Sequence, residues 1–122
     1  MKMHSKLWTI AFVFYGLLIT WGSLQPAAGQ PPIPHLDKLM HFIGYGVFAT
    51  LGIMACCSKR QVVMVFIFVV VWGAFIEYLQ SLTPTRMMSI ADFVANSFGA
   101  AIAVWLLKSR IAILDTKAKN SR

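Results

Sequence analysis

A chain of 122 residues that is 58% hydrophobic and 12% charged is too short for several domains and too apolar for an ordinary water-soluble one. A net charge of +7 would suit nucleic acid if the basic residues shared one patch, but they stand in separate clusters between apolar runs, which argues against that class. The composition points to a single small integral membrane domain with little chain left for loops.

In chain order, four apolar runs approach the roughly 20 residues that a membrane helix needs: Leu7 to Leu24, Leu39 to Cys57, Val62 to Leu82, and Ile90 to Leu107. The expected fold is therefore all-α, a four-helix transmembrane bundle over residues 1–110, followed by a basic tail over residues 111–122. Lys2 and Lys6 precede the first run, and Lys59 and Arg60 join the second to the third. Lys108, Arg110, Lys117, Lys119 and Arg122 follow the fourth, whereas the alternate loops carry only Lys38 and Arg86. By the positive-inside rule both termini and the Ser58 to Gln61 turn are cytoplasmic, while the Gln25 to Leu36 and Thr83 to Met88 loops face outward. The tail then meets anionic head groups or solvent.

A cleaved signal peptide ending near Ala27-Ala28-Gly29 competes with a retained first helix, but the apolar run is longer than a usual signal core. Pro26, Pro31, Pro32 and Pro34 favour extended backbone in the first outer loop, which is expected to lie across the mouth of the bundle. The Thr83-Pro84-Thr85-Arg86 stretch reads as a tight turn, and the short cytoplasmic turn makes the second and third spans antiparallel neighbours. Cys56 and Cys57 are adjacent, a poor geometry for a disulfide, and read as small packing residues. A faint echo links Ser23-Leu24-Gln25-Pro26 to Ser81-Leu82-Thr83-Pro84, and Asp37, His41 and Gly44 to Asp92, Asn96 and Gly99. Two repeated helical hairpins or chance both account for it.

Three of the four acidic residues, Asp37, Glu77 and Asp92, lie inside or at the edge of these spans, where a carboxylate is costly. Asp37, His41, Tyr45 and Ala49 recur every fourth residue and share one helix face; Gly73, Glu77 and Ser81 share another, with Gln80 beside Glu77. On the fourth span Asp92 and Asn96 adjoin the small residues Ala91, Ala95, Gly99 and Ala103, which permit close helix approach. All these polar groups sit toward the outward end.

Each has a packing explanation. Ser89-Ile90-Ala91-Asp92 fits a capping box that opens the fourth helix, and Asp37 suits the N-terminus of the second. Lys38 can snorkel to the interface, His41 and Tyr45 can be packing residues, and Asn96 and Gln80 can join helices. Glu77 resists, because a negative charge near a helix C-terminus faces the wrong end of the dipole. Arg86 is its expected counter-ion, with His41 as the alternative. The third span tolerates the acid: twelve Val, Ile, Leu or Phe residues between Val62 and Leu79, at roughly 0.3 to 0.6 kcal/mol each, outweigh a penalty of about 3 kcal/mol. A metal site built from Asp37, His41, Glu77 and Asp92 is chemically conceivable but has one well-placed histidine, so neither a metal nor any other cofactor is expected.

Asp37-Lys38-Leu39-Met40-His41 with Tyr45, Gly73-Ala74-Phe75-Ile76-Glu77 with Gln80, and Arg86 with Asp92, Asn96 and Gly99 together resemble the VanZ-like family of small bacterial membrane proteins. Ser23 and Pro26 also fit. The resemblance implies a bacterial inner-membrane protein; for the family's namesake it implies a part in low-level teicoplanin resistance, which is not carried over to this chain. The leading expectation is an outer-leaflet pocket that binds or acts on an envelope lipid or lipid-linked molecule. In it Arg86, Lys38 and His41 hold an anionic head group, and Glu77, Asp37 and Asp92 orient them. A membrane-embedded hydrolase or transferase with His41 or Glu77 as general base is the alternative, and a purely structural cluster is a third.

Overall fold

The computed structural model describes residues 3–26 and 33–120, so the Ala27-Ala28-Gly29 stretch and most of the proline-rich loop lie outside the described residues. Five helices follow in order: α1 Met3–Ser23, α2 Leu36–Ala55, α3 Lys59–Ser81, α4 Ile90–Leu106 and α5 Lys108–Asn120. No strand occurs among the described residues.

Local chemistry explains the boundaries. Ser58 opens α3 by accepting the Gln61 N–H at 3.3 Å, while the Gln61 side chain accepts the Cys57 N–H at 2.7 Å. Ser89 opens α4 in the same way, its hydroxyl accepting the Asp92 N–H at 3.1 Å. The start of α2 lacks such a cap: His35, at φ 62°, is left-handed and makes no side-chain cap bond. Asp37, in the first turn, supplies only the favourable charge at that dipole end.

Three helices, α1, α2 and α3, are long and apolar enough to cross a membrane, and α4 joins them only if it and α5 form one bent span. The fourth run ends at Leu107, as expected, but the residues after it form a further helix, α5, which leaves α4 at 60°. The Arg110 guanidinium donates to the Met54 carbonyl at 2.8 Å near the end of α2, and Ile111 and Leu114 pack on the core. Most of the expected tail is thus helical, the first turns of α5 satisfying a carbonyl and packing two partly buried apolar side chains.

The core lies between α2, α3 and α4, with Tyr45, Phe48, Ala49, Ile53, Val69, Ala100 and Ala103 buried. From α1, Phe12 stacks on Phe48 at 4.6 Å between ring centres. The closest crossing is α2 on α4, where Gly99 rides directly against the Phe42 carbonyl and Gly46 faces Gly99 across the seam. A Cβ at residue 99 would overlap that carbonyl. Outward faces carry exposed Leu7, Ile10, Phe14, Met64, Phe75 and Phe98, as suits helices surrounded by lipid.

Candidate functional site

Four helix ends meet at one end of the bundle: the C-termini of α1 and α3 and the N-termini of α2 and α4. The polar residues gather there. Lys38 connects α2 to α4, its ammonium lying 2.9 Å from the Asp37 carboxylate and 3.3 Å from Oδ1 of Asp92. His41 lies one turn deeper, with Nδ1 3.0 Å from Oδ1 of Asn96 and Nε2 4.0 Å from Oδ2 of Asp92. Since an amide oxygen only accepts, Nδ1 carries the proton of this bond, and Nε2 is turned toward Asp92.

Glu77 is 2% exposed. Its Oε2 accepts the Ser89 N–H at 3.0 Å, and Oε1 has no hydrogen-bond partner. The geometry resolves how α3 carries an acid near its C-terminus: the carboxylate meets the N-terminus of α4, where backbone donors and the helix dipole favour negative charge. It also completes a capping box by unusual means. Ser89 caps Asp92 as expected, but the return bond to the Ser89 N–H comes from Glu77 rather than from Asp92. Asp92 is thereby free to face Lys38 and His41.

Arg86 does not pair with Glu77. Its Nε donates to the Gln25 carbonyl at 2.8 Å, tying the α3–α4 connection to the end of α1, and no Glu77–Arg86 salt bridge within 4.0 Å occurs among the described residues. Gln80 is likewise turned away from the acids: Nε2 donates to the Ser23 carbonyl at 2.8 Å. The buried Tyr45 hydroxyl and the Asn96 Nδ2 have no partner.

An open cleft of about 380 Å³ lies here, lined by Ile19, Gly22, Ser23, Asp37, Met40, His41, Tyr45 and Arg86. Glu77 lines a separate, largely apolar cleft of about 210 Å³ with Ala74, Met88, Ser89, Ile90 and Phe93. Of the expected site residues, Asp37, Lys38, His41, Asp92 and Asn96 form one connected chain of polar contacts. Tyr45 and Arg86 share the main cleft with Asp37 and His41, whereas Glu77 and Gln80 belong to neither group. Sequence reasoning missed the Ser89 N–H and the Gln25 carbonyl as partners. A signal for Ser89 was present, because the third residue of its capping box is the short Asp92 rather than a glutamate.

A family model described as VanZ/LLP1 matches residues 2–113. The chain belongs to the VanZ/LLP1 family. The match covers α1 to α4, the start of α5 and all the polar residues described above. No curated protein and no solved structure matches this VanZ/LLP1 chain.

Proposed function

We propose that this VanZ/LLP1 protein resides in the bacterial inner membrane with both termini cytoplasmic, and that its polar end opens to the outer leaflet, where it binds or acts on an envelope lipid or lipid-linked molecule. The cleft lined by Asp37, His41, Tyr45 and Arg86 is the observation that supports this reading, because it is a concave polar site in an otherwise apolar bundle. Arg86 spends only Nε on Gln25 among the described residues, so its remaining guanidinium donors can take a phosphate or carboxylate. Lys38 adds a second cation nearby, held in place by Asp37 and Asp92. Nearby apolar residues, exposed Met40 and half-buried Ile19, suit the acyl portion of such a ligand.

A catalytic version of the same reading draws on His41, whose Nε2 is oriented by Asn96 as a general base should be. Of the serines at the rim, Ser81 donates to the Tyr78 carbonyl and Ser89 accepts the Asp92 N–H, and water is the nucleophile in this version.

Growth of cells carrying Arg86→Ala or Glu77→Gln, challenged with envelope stress and with lipoglycopeptides, tests the proposal. Altered sensitivity with normal accumulation of the variant supports it. Unaltered sensitivity of both, with a null strain that is itself sensitive, rejects it.

A further inference from the structure

The side chains of His41, Glu77 and Asp92, each from a different helix, converge so that one ligand-type atom from each lies within 4.8 Å of the others. We infer that these three residues form a divalent-metal site of the Zn²⁺ or Mn²⁺ class.

Each residue has one atom held by a protein partner and one left over. His41 donates Nδ1–H to Asn96, Glu77 Oε2 accepts the Ser89 N–H, and Asp92 Oδ1 accepts from the Lys38 ammonium. Among the described residues His41 Nε2 and Glu77 Oε1 have no hydrogen-bond partner, and Asp92 Oδ2 lies 4.0 Å from that same Nε2. This is how outer partners orient metal ligands: a bond to the far nitrogen fixes the imidazole tautomer, and bonds to the far carboxylate oxygens aim the near ones. Neutral imidazole with two carboxylates suits borderline and oxygen-preferring divalent ions, and lacks the thiolates that favour softer metals.

The buried carboxylate is the second, independent pointer. Glu77 is 2% exposed with an unpartnered Oε1, and its expected counter-ion Arg86 is engaged elsewhere. A divalent ion balances the Glu77 and Asp92 charges together. Lys38 opposes cation binding, but its charge is offset by Asp37 at 2.9 Å. Bonds of about 2.1 Å place ligand atoms roughly 3 to 3.5 Å apart. Side-chain rotations that draw the three inward by about 1 to 2 Å therefore close the shell. Three protein ligands leave coordination positions for water or an anionic oxygen. An anionic head group completing the shell rests on the proposed function, whereas metal binding itself does not.

The test is calorimetric titration of the full chain in detergent, stripped by chelator, with Zn²⁺ and with Mn²⁺, alongside metal analysis of the purified protein. The expected result is one equivalent of either ion, with affinity falling tenfold or more in His41→Ala, Glu77→Gln and Asp92→Asn. Loss of the outer partner in Asn96→Ala should weaken it by about tenfold. Cys57→Ser should leave it unchanged. Should the variants misfold, pulsed electron paramagnetic resonance of Mn²⁺ on the wild-type chain reads the site directly: coupling to one imidazole ¹⁴N supports it. Absence of binding, binding that survives Glu77→Gln, or Zn²⁺ binding lost with Cys57 overturns the inference.

Discussion

Oε2 of Glu77 accepts the backbone N–H of Ser89 at 3.0 Å, so the last turns of α3 cap the first turn of α4. This bond clips the two helices at the point where the polar cluster is assembled. Replacing Glu77 by alanine leaves the Ser89 N–H without its acceptor, at a cost of about 1 to 3 kcal/mol. Glutamine keeps an amide oxygen in reach and should lose less. Thermal unfolding in detergent should rank wild type, Glu77→Gln and Glu77→Ala in that order; equal loss in both variants would show that the charge, and not the cap, holds the clip.

Close approach of α2 and α4 depends on residue 99 having no side chain. Gly99→Ala drives a methyl into the Phe42 carbonyl, a rigid backbone group, and should destabilise by about 1 to 3 kcal/mol. Gly22→Ala is the contrast, since a Cβ there meets no heavy atom within 4 Å. Its helix should be unchanged or stiffened by about 0.5 kcal/mol. Paired unfolding curves of the two variants check both.

Asn96 sets the tautomer of His41. Nitrogen-15 resonances of the imidazole should show the proton on Nδ1 in the wild-type chain, and Asn96→Ala should restore a mixture of both tautomers. An Nε2–H tautomer in the wild type would contradict the hydrogen bond.

Among the bonds that tie α1 to α3 are Gln80 to the Ser23 carbonyl at 2.8 Å and the Trp72 indole N–H to Thr20 at 3.0 Å. Hydrogen bonds between membrane helices average about 0.6 kcal/mol. Gln80→Leu and Trp72→Phe should each cost about that much, and together about 1 kcal/mol, because the groups are two turns apart along α3. A far larger loss in the double variant would mean that α1 detaches as a unit.

The two cysteines should differ in reactivity. Cys56 is buried, with its thiol directed to the Gly52 carbonyl at 3.2 Å, whereas Cys57 is exposed. Folded protein should take up one equivalent of maleimide, at Cys57, and two after denaturation. In intact cells a membrane-impermeant maleimide should leave Cys57 unlabelled, as the proposed cytoplasmic turn requires; labelling there would invert the topology.

Much of the bundle was legible because apolar length and periodicity are local. The spans of α1 to α3, the Ser89 cap and the small seam around Gly99 follow from runs and spacings that neighbouring residues set by themselves. The polar cluster was legible as a membership, since few polar side chains interrupt the apolar runs. Its pairings were not. Arg86 was matched to Glu77 by charge and proximity in sequence, but the guanidinium reaches a carbonyl of α1 instead, which no spacing reveals. The end of the fourth run at Leu107 was legible, but the helix α5 that follows it escaped, because the reward for docking α5 lies on α2, at the Met54 carbonyl.

By itself, then, the sequence determined that this is a helical VanZ/LLP1 protein with helices apolar enough to cross a membrane and acids where acids are costly. Tertiary structure alone decided which oxygen and which nitrogen of those groups is occupied. The reason is geometric: the register of α2 against α4, set where Gly99 meets Phe42, together with the meeting of α3's end with α4's start, aims Glu77 at Ser89 and leaves Asp92 to Lys38 and His41.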